Sequence, residues 1–238
     1  MHRSVILIVS ACAILVTGCA HRRTFESRPA HVPPHCAAQP IRMTIVGDSL
    51  ARGWGARDPK NTVTARIFEF VRRRHPGTTM INLGVPGATT DEIARAQASL
   101  VRPHARSLII VIAGANDVQK YYTPAHFQRS YARLLQRLRM RDPRAAIIVI
   151  GMPDVALSRR IPWPAKPVIA WLSRAANTSI AAAASQYRAA MVPLYGLSLK
   201  DAGRAGTLLS ADGIHPNDRG YAAMASATYP FIRMVLSE

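Results

Sequence analysis

Four short polar stretches of the sequence hold residue types that could do chemistry together. They are "GDS" at 47–49, "NLGVPG" at 82–87, "GAND" at 114–117 and "SADGIHPNDRGY" at 210–221. They supply a hydroxyl, an imidazole, carboxylates, a side-chain amide and glycine N–H groups. Each stretch is weak evidence alone, because a glycine after a strand is often only a turn and a single histidine is often structural. As a set they contain the parts of an acyl-transfer site.

Ser49, Asp212 and His215 are the residues expected to react. A serine hydroxyl is a weak nucleophile unless a neighbouring base removes its proton. His215 is the candidate base, since imidazole titrates near neutral pH. Asp212 lies three positions earlier, so one short loop can present both side chains. Its carboxylate would then orient the imidazole and stabilise the imidazolium.

Other acidic residues near these stretches fit structural roles. Asp48 directly precedes Ser49 and is expected to accept hydrogen bonds from nearby backbone. Asp117 is expected to cap or brace its own turn. Asp91-Glu92 fits the first turn of a helix, where negative charge is stabilising.

The elements that must position these groups alternate between strand and helix patterns from residue 41 onward. Short apolar runs rich in Ile and Val predict buried parallel strands. These runs are "IRMTIV", "TMINL", "SLIIVIA", "AAIIVIG" and "AMVPL". Helices are expected at about 61–75, 90–102, 124–140 and 166–188, with a last helix capped by Asn217. The alternation predicts an α/β fold with a parallel sheet covered on both faces, and ligands bind such sheets at the carboxyl ends of the strands.

The composition fits one globular domain with a sizeable core, at 238 residues of which 49% are hydrophobic. The formal net charge of +18 raises the question of a nucleic-acid partner. Arginine carries most of this charge and is scattered along the chain, and no helix-turn-helix, zinc-finger or aromatic-interleaved pattern is present. We therefore expect no nucleic-acid binding and, at most, a weak attraction to anionic lipid surfaces.

The N-terminus reads as a targeting segment. A basic start precedes an apolar stretch at 4–16 that is too short to span a bilayer comfortably, and "VTGC" at 16–19 resembles a bacterial lipobox. Residues 1–18 are therefore predicted to be a signal peptide, with Cys19 lipidated as the first residue of the mature chain. An ordinary signal peptide with an incidental cysteine is the alternative.

Residues 19–40 are predicted to be the lipidated N-terminus and a linker from the membrane to the domain, because the segment is rich in proline. Cys36 has no partner left for an intramolecular disulfide. Together with His31 and His35 it could be imagined as a metal ligand. The composition favours a tether.

The four polar stretches resemble, in order, the sequence blocks of the GDSL or SGNH hydrolase superfamily. That family is named for a serine, a glycine, an asparagine and a histidine, which match Ser49, Gly84, Asn116 and His215. The resemblance makes Asp212 the third member of a triad. It also implies that the oxyanion is bound by the backbone N–H groups of Ser49 and Gly84 and by the Asn116 side-chain amide.

The resemblance sets further expectations about fold and activity, and the N-terminal segment described above sets the one about location. The resemblance implies a three-layer α/β/α flavodoxin-like fold with a five-stranded parallel sheet over residues 41–238. It implies a serine esterase that cleaves esters or thioesters through an acyl-Ser49 intermediate, without a metal or cofactor. Lipids, lysophospholipids and acetylated glycans are the expected substrates, and Cys19 would anchor the exported chain in the bacterial cell envelope. The alternative is a non-catalytic envelope lipoprotein that uses the same fold as a binding module.

The loop "GMPDVALSRRIPWPAKP", which begins at Gly151, leaves one question open. Met152, Trp163 and the following Trp171 could line an acyl or aromatic pocket. They could equally belong to the core and the rim of the domain.

Overall fold

A computed structural model of the protein describes residues 39–196 and 205–237, all of which fall within one compact unit. The predicted signal peptide, Cys19, Cys36 and nearly all of the predicted linker lie outside the described residues. Within the described ranges, no helix is both long enough and apolar enough to span a membrane.

Five parallel strands form the central sheet, in the order β2-β1-β3-β4-β5. They are β1 (Arg42–Gly47), β2 (Thr79–Asn82), β3 (Ser107–Ile112), β4 (Ala146–Ile150) and β5 (Ala190–Val192). Strands β1, β3 and β4 are buried almost throughout, because helices cover both of their faces. The chain leaves β1 for β2 on one side and returns to β3 on the other side, so the carboxyl ends of β1 and β3 form a switch point where ligands bind.

The helices lie on both faces of this sheet, which confirms the predicted α/β architecture. They are α1 (Ser49–Arg52), α2 (Val63–Arg74), α3 (Thr90–Glu92), α4 (Ala115–Gln119), α5 (Pro124–Arg141), α6 (Lys166–Gln186), α7 (Ala205–Leu208) and α8 (Asp218–Leu236). Helices α2 and α8 pack in the apolar cluster on one face, and α5 and α6 pack in the cluster on the other. The cap expected at Asn217 is confirmed, since its side-chain oxygen accepts from the N–H groups of Arg219 and Gly220 at 2.9 and 3.1 Å.

The helix expected over about 90–102 is present as a continuous helical stretch from Thr90 to Leu100, but it is not a regular α-helix. Helix α3 ends at Glu92, and the chain continues as a π-helical turn, Ile93–Gln97, and a 3₁₀ turn, Ala98–Leu100. The Gln97 side chain bonds both backbone groups of Gly47, accepting from its N–H and donating to its C=O at 2.8 Å each. A tertiary contact at the end of β1 thus accompanies the departure from α-helical geometry, as is common for π-turns near functional sites.

Candidate active site

Ser49 lies where the chain leaves β1 and turns into α1. Asp48 caps this turn, because its carboxylate accepts from the Leu50 N–H at 2.9 Å. This matches the role expected of Asp48. Ser49 is only 9% exposed, and its hydroxyl lies at the floor of a cavity.

The structure brings the three residues expected to react into one hydrogen-bonded chain. His215 Nε2 lies 2.9 Å from the Ser49 hydroxyl oxygen, and His215 Nδ1 lies 2.7 Å from Asp212 Oδ2. With Nδ1 protonated and bonded to the carboxylate, Nε2 is free to accept the serine proton. The three groups therefore have the arrangement that activates a serine nucleophile.

The Asp212 carboxylate is held in its ionised form. Partial burial raises the pKa of Asp212, but hydrogen bonds from the Ile214 N–H, the His215 side chain and Ser210 outweigh that effect. The net result is a pKa well below the ordinary value. The carboxylate is therefore charged at neutral pH and can stabilise an imidazolium on His215.

A second loop fixes the loop that carries Asp212 and His215. The Ser158 hydroxyl and the Arg159 N–H both donate to the Gly213 C=O, at 2.9 and 2.8 Å. The Arg159 guanidinium donates to the Ser210 C=O at 2.8 Å. Gly213 has a φ of +74°, and a Cβ there would lie 3.1 Å from Arg159 Cβ, so glycine permits this close approach. No sequence signal pointed to Ser158 or Arg159, because their partners are about 50 residues away.

The oxyanion role expected of Gly84 is contradicted by the structure. Gly84 is buried, and its N–H already donates to the Asn82 side-chain oxygen at 2.9 Å. The Asn82 amide also donates to the Ala51 C=O at 2.8 Å, which ties this part of the loop to the back of α1. Gly84 is therefore unable to offer its N–H to a substrate.

Gly87 takes the place at the cavity that was expected of Gly84. It lines the cavity together with Ser49 and Asn116, and its φ is +79°, a conformation that glycine adopts easily. Among the described residues, neither the Gly87 N–H nor the Ser49 N–H donates a backbone hydrogen bond outside regular elements. Both groups are available to an oxyanion. The sequence contained this residue, in "NLGVPG", but gave no local reason to prefer the second glycine over the first.

Asn116 lines the same cavity as Ser49 and Gly87. Its amide nitrogen donates to the Ala88 C=O at 3.0 Å and lies 3.5 Å from Asp48 Oδ2. The second distance is beyond the range of a strong hydrogen bond. One amide hydrogen therefore holds the side chain in place, and the other can serve a substrate oxygen.

Two buried carboxyl groups lie behind the reacting residues. Burial raises the pKa of Asp48 to about 7 and that of Asp117 to about 6, and the charge of Asp117 adds to the effect on Asp48. Asp117 was expected to cap or brace its own turn, and its carboxylate does bond its own backbone N–H in the first turn of α4. It also accepts from the Thr90 N–H and hydroxyl at 3.0 and 3.1 Å, and so joins α4 to the start of α3.

The cavity above Ser49 has a volume of about 710 Å³ and a mainly apolar lining. Helix α8 supplies one wall, with Gly220, Ala223 and Ala227. Leu194, Leu208 and Leu209 also line it. Trp54 also lines the cavity, and its ring centroid lies 5.7 Å from that of His215. Sequence reasoning missed these residues, since they come from segments far apart in the chain.

None of the three residues proposed from the loop after Gly151 lines this cavity. Met152 is buried in the apolar core, and Trp163 and Trp171 are exposed at the surface. The open question is thus decided in favour of core and surface positions. The loop does contribute to the cavity, but through its neighbouring residues Pro153, Val155 and Leu157.

The fold and the serine–histidine–aspartate arrangement define a serine hydrolase of α/β type, and sequence comparison assigns the family. The sequence model of the GDSL-like Lipase/Acylhydrolase family matches residues 45–223, which is well over half of the chain. The protein therefore belongs to this family of ester hydrolases.

Individual relatives are distant in sequence and similar in fold. Esterase TesA of Pseudomonas aeruginosa is 22% identical over 194 residues, which cover 82% of this chain and 89% of TesA. A lipolytic protein of the G-D-S-L family from Veillonella parvula has a TM-score of 0.63 at 16% identity, covering 80% of this chain and 97% of its own. A two-domain esterase active on acetylated mannans has a TM-score of 0.64 at 22% identity, covering 85% of this chain and 51% of its own.

Proposed function

We propose that the protein is a serine esterase that cleaves carboxylic ester or thioester bonds through an acyl-Ser49 intermediate. The observation that carries this proposal is the continuous hydrogen-bonded chain from Ser49 through His215 to Asp212. A protein that only bound its ligand would not need this hydrogen-bonded chain. For this reason the alternative of a non-catalytic binding module is not favoured.

The proposed reaction has two halves. The Ser49 oxygen attacks the ester carbonyl while His215 takes the serine proton, and the Ser49 and Gly87 N–H groups with the Asn116 amide bind the oxyanion. The intermediate then expels the alcohol or thiol, which receives the proton from His215. Water, deprotonated by His215, attacks the acyl-Ser49 ester, and the second intermediate releases the carboxylic acid and returns the proton to Ser49.

The cavity supports an acyl chain of medium or greater length as the substrate group. A volume of about 710 Å³ with an apolar lining falls in the usual range for ligand pockets, and an acetyl group would leave most of it empty. Among the expected substrates, lipid, lysophospholipid and acyl-thioester substrates therefore fit better than acetylated glycans. The relative active on acetylated mannans makes an acetylated glycan the competing substrate to test.

A chain-length series of nitrophenyl esters, run beside a lysophospholipid and an acetylated mannan, tests this choice. Each methylene that enters the cavity contributes about 0.8 kcal/mol, so kcat/KM should rise about fourfold per methylene until the cavity is filled. Ala223→Phe, which narrows the cavity, should lower kcat/KM for an octanoyl ester at least about tenfold and leave the acetyl ester within about twofold. Ala181→Phe, on the exposed side of α6, is the matched control. A maximum at acetyl would contradict the acyl-chain proposal and leave the esterase mechanism intact.

We also propose that the chain is exported and anchored through a lipid on Cys19. The support is the layout of residues 1–19, with a basic start, a short apolar stretch and a cysteine after a small residue. Mass spectrometry of the mature protein should find a lipid-modified Cys19 at its N-terminus, and Cys19→Ser should prevent that maturation. An unmodified N-terminus at another residue would rule the anchor out.

A further inference from the structure

The edge of the sheet opposite the active site is strongly basic. This edge, called the basic edge below, consists of the strand starts, the last helical turns and the loops between them. Eleven arginines lie there, namely Arg42, Arg72, Arg73, Arg74, Arg102, Arg106, Arg139, Arg141, Arg144, Arg188 and Arg233. Eight of them are exposed. Among the described residues, the only carboxylates at this edge are Glu69, which pairs with Arg72 and Arg73, and Asp142, which is buried.

The carboxylates of the described residues are concentrated at the other edge. Eight of the ten lie at strand ends, at helix starts or in the loop that carries His215, namely Asp48, Asp58, Asp91, Glu92, Asp117, Asp154, Asp212 and Asp218. Helix dipoles favour such a division, because they attract anions to helix starts and cations to helix ends. The dipoles do not account for Arg42, Arg102, Arg106 and Arg144, which lie outside the helices. The basic edge therefore carries more positive charge than helix stabilisation requires.

Exposed apolar side chains lie among these arginines. Leu100 is 55% exposed, Met140 is 73% exposed and Met234 is 61% exposed. Met140 lies between Arg139 and Arg141 in sequence, and the other two are next or nearly next to an exposed arginine. Single exposed apolar residues are normal on a protein surface. The described residues include seven other exposed large apolar side chains, most of them toward the active-site edge, so the three at the basic edge are distinguished by their position beside arginines. On a surface that binds an anionic bilayer, cations meet the headgroups while apolar side chains enter the interface.

The chain also enters the described domain at the basic edge. Gln39 is the first described residue, and its C=O accepts from the Arg106 guanidinium at 3.1 Å. The 38 residues that precede it in the sequence, with the predicted lipid anchor at Cys19, therefore join the domain on this side. The basic edge is the part of the domain nearest to that junction.

We infer that the basic edge docks on an anionic phospholipid bilayer, with the active site facing away from it. The eight exposed arginines contact lipid phosphates, and Leu100, Met140 and Met234 enter the interfacial region. Strand β1 spans six residues, about 20 Å at 3.3 Å per residue, so Ser49 lies about that far from the basic edge. The enzyme accordingly draws its substrate from the aqueous side, so among the substrates favoured above this orientation selects water-soluble ones, such as acyl thioesters and monomeric lysophospholipids, over lipids embedded in that bilayer. The apolar side chains favour a bilayer over a nucleic acid, since a phosphodiester backbone offers them no partner.

Vesicle binding by matched charge variants of the full chain tests this orientation. The test variant is Arg102→Gln with Arg144→Gln and Arg233→Gln. The control is Arg129→Gln with Arg174→Gln and Arg219→Gln, which neutralises three exposed arginines elsewhere. Each arginine near an anionic surface contributes about a factor of five to binding, so the test variant should lose about 100-fold in partitioning to phosphatidylglycerol vesicles and the control at most a few-fold. The wild type, the test variant and the control share the same N-terminal segment, so the contribution of that segment to vesicle binding cancels when their partition coefficients are compared as ratios. Equal losses in both variants would overturn the proposal.

A second pair of variants tests which side of the domain faces the membrane and whether the basic edge binds a bilayer or a nucleic acid. Met140→Ser with Met234→Ser should weaken vesicle binding several-fold, whereas Trp163→Ser with Trp171→Ser, at the exposed surface nearer the active site, should not. A larger effect of the tryptophan pair would mean that the catalytic side faces the membrane. Binding of duplex DNA that depends on the arginines, together with no effect of the methionine pair on vesicles, would assign the basic edge to a nucleic acid. Unchanged hydrolysis of a soluble nitrophenyl ester shows that each variant is folded, independently of the docking result.

Discussion

The two edges of the sheet use polar residues in different ways. At the active-site edge, Ser49, His215 and Asp212 are joined by hydrogen bonds of 2.9 and 2.7 Å, and neighbouring loops hold them in position. At the basic edge, arginines such as Arg102 and Arg144 are exposed and contribute mainly their charge. Chemistry depends on the position of a few atoms, whereas surface attraction depends on the number of charges. We therefore expect large effects from single substitutions at the first edge and small, additive ones at the second.

Ser49→Ala should have the largest effect. Without the hydroxyl there is no acyl-enzyme, so kcat should fall by at least about 10⁴-fold. The melting temperature should stay within about a degree or two, because the hydroxyl contributes little to packing. Steady-state hydrolysis and a melting curve on one preparation measure both. Turnover close to that of the wild type would refute the proposed mechanism.

Asp212→Asn should have nearly as large an effect on kcat. An asparagine can donate to His215 Nδ1 and so stabilise the wrong imidazole tautomer, for which losses near 10⁴-fold are typical. Asp218→Asn, at the start of α8, is a useful comparison, because that carboxylate lies at the same edge and contacts Arg57 and Asn61 rather than His215. Similar rates in the two variants would assign the orienting role to another acid.

Asn116→Ala should have an intermediate effect on kcat, because the lost amide stabilises the transition state rather than the bound substrate. Loss of one oxyanion donor typically lowers kcat by about 10²–10³-fold, and kcat/KM should fall equally while KM stays nearly constant. The lost bond to the Ala88 C=O should cost about 1 kcal/mol of stability. Gln119→Ala, which also changes a side chain that lines the cavity, should retain kcat. A folded Asn116→Ala enzyme with normal kcat would remove Asn116 from the oxyanion site.

Asp48→Asn should change the pH dependence of stability. Burial raises the pKa of Asp48 to about 7 from an ordinary value of 3.8, so the folded state binds more protons than the unfolded state between these values. The contribution of Asp48 to stability is therefore greatest at low pH and is lost as the pH rises from about 4 through 7. Between pH 5 and pH 8 the melting temperature of the wild type should fall more than that of Asp48→Asn. Parallel melting curves would show that Asp48 does not take up a proton on folding.

Arg144→Gln, at the basic edge, should have the smallest effect. The side chain is exposed, and exposed substitutions usually change stability by less than about 0.5 kcal/mol. Hydrolysis of a soluble ester should be unchanged. A large loss of activity would show that the two edges are coupled, contrary to the division described above.

Much of the fold could be predicted because its signals are local. All five strands were expected from short apolar runs, three of which are rich in Ile and Val. Asn217 was expected as a cap, because its side chain bonds N–H groups only a few residues further along the chain. The change from α-helical to π-helical geometry after Glu92 was missed. Gln97, in the π-helical turn, contacts Gly47, which is 50 residues away, and helical periodicity contains no information about such a contact.

The sequence by itself determined the residue types of the active site and their order, because Ser49, Asn116 and the pair Asp212 and His215 each follow a strand or share a short loop. Only the tertiary structure decided that Gly87 rather than Gly84 faces the cavity, since the Asn82 side chain occupies the Gly84 N–H. It also decided where the charge lies. Arginines that are scattered along the chain meet at one edge, because helices antiparallel to the strands place helix ends and strand starts side by side, and that proximity in space leaves no trace in local sequence.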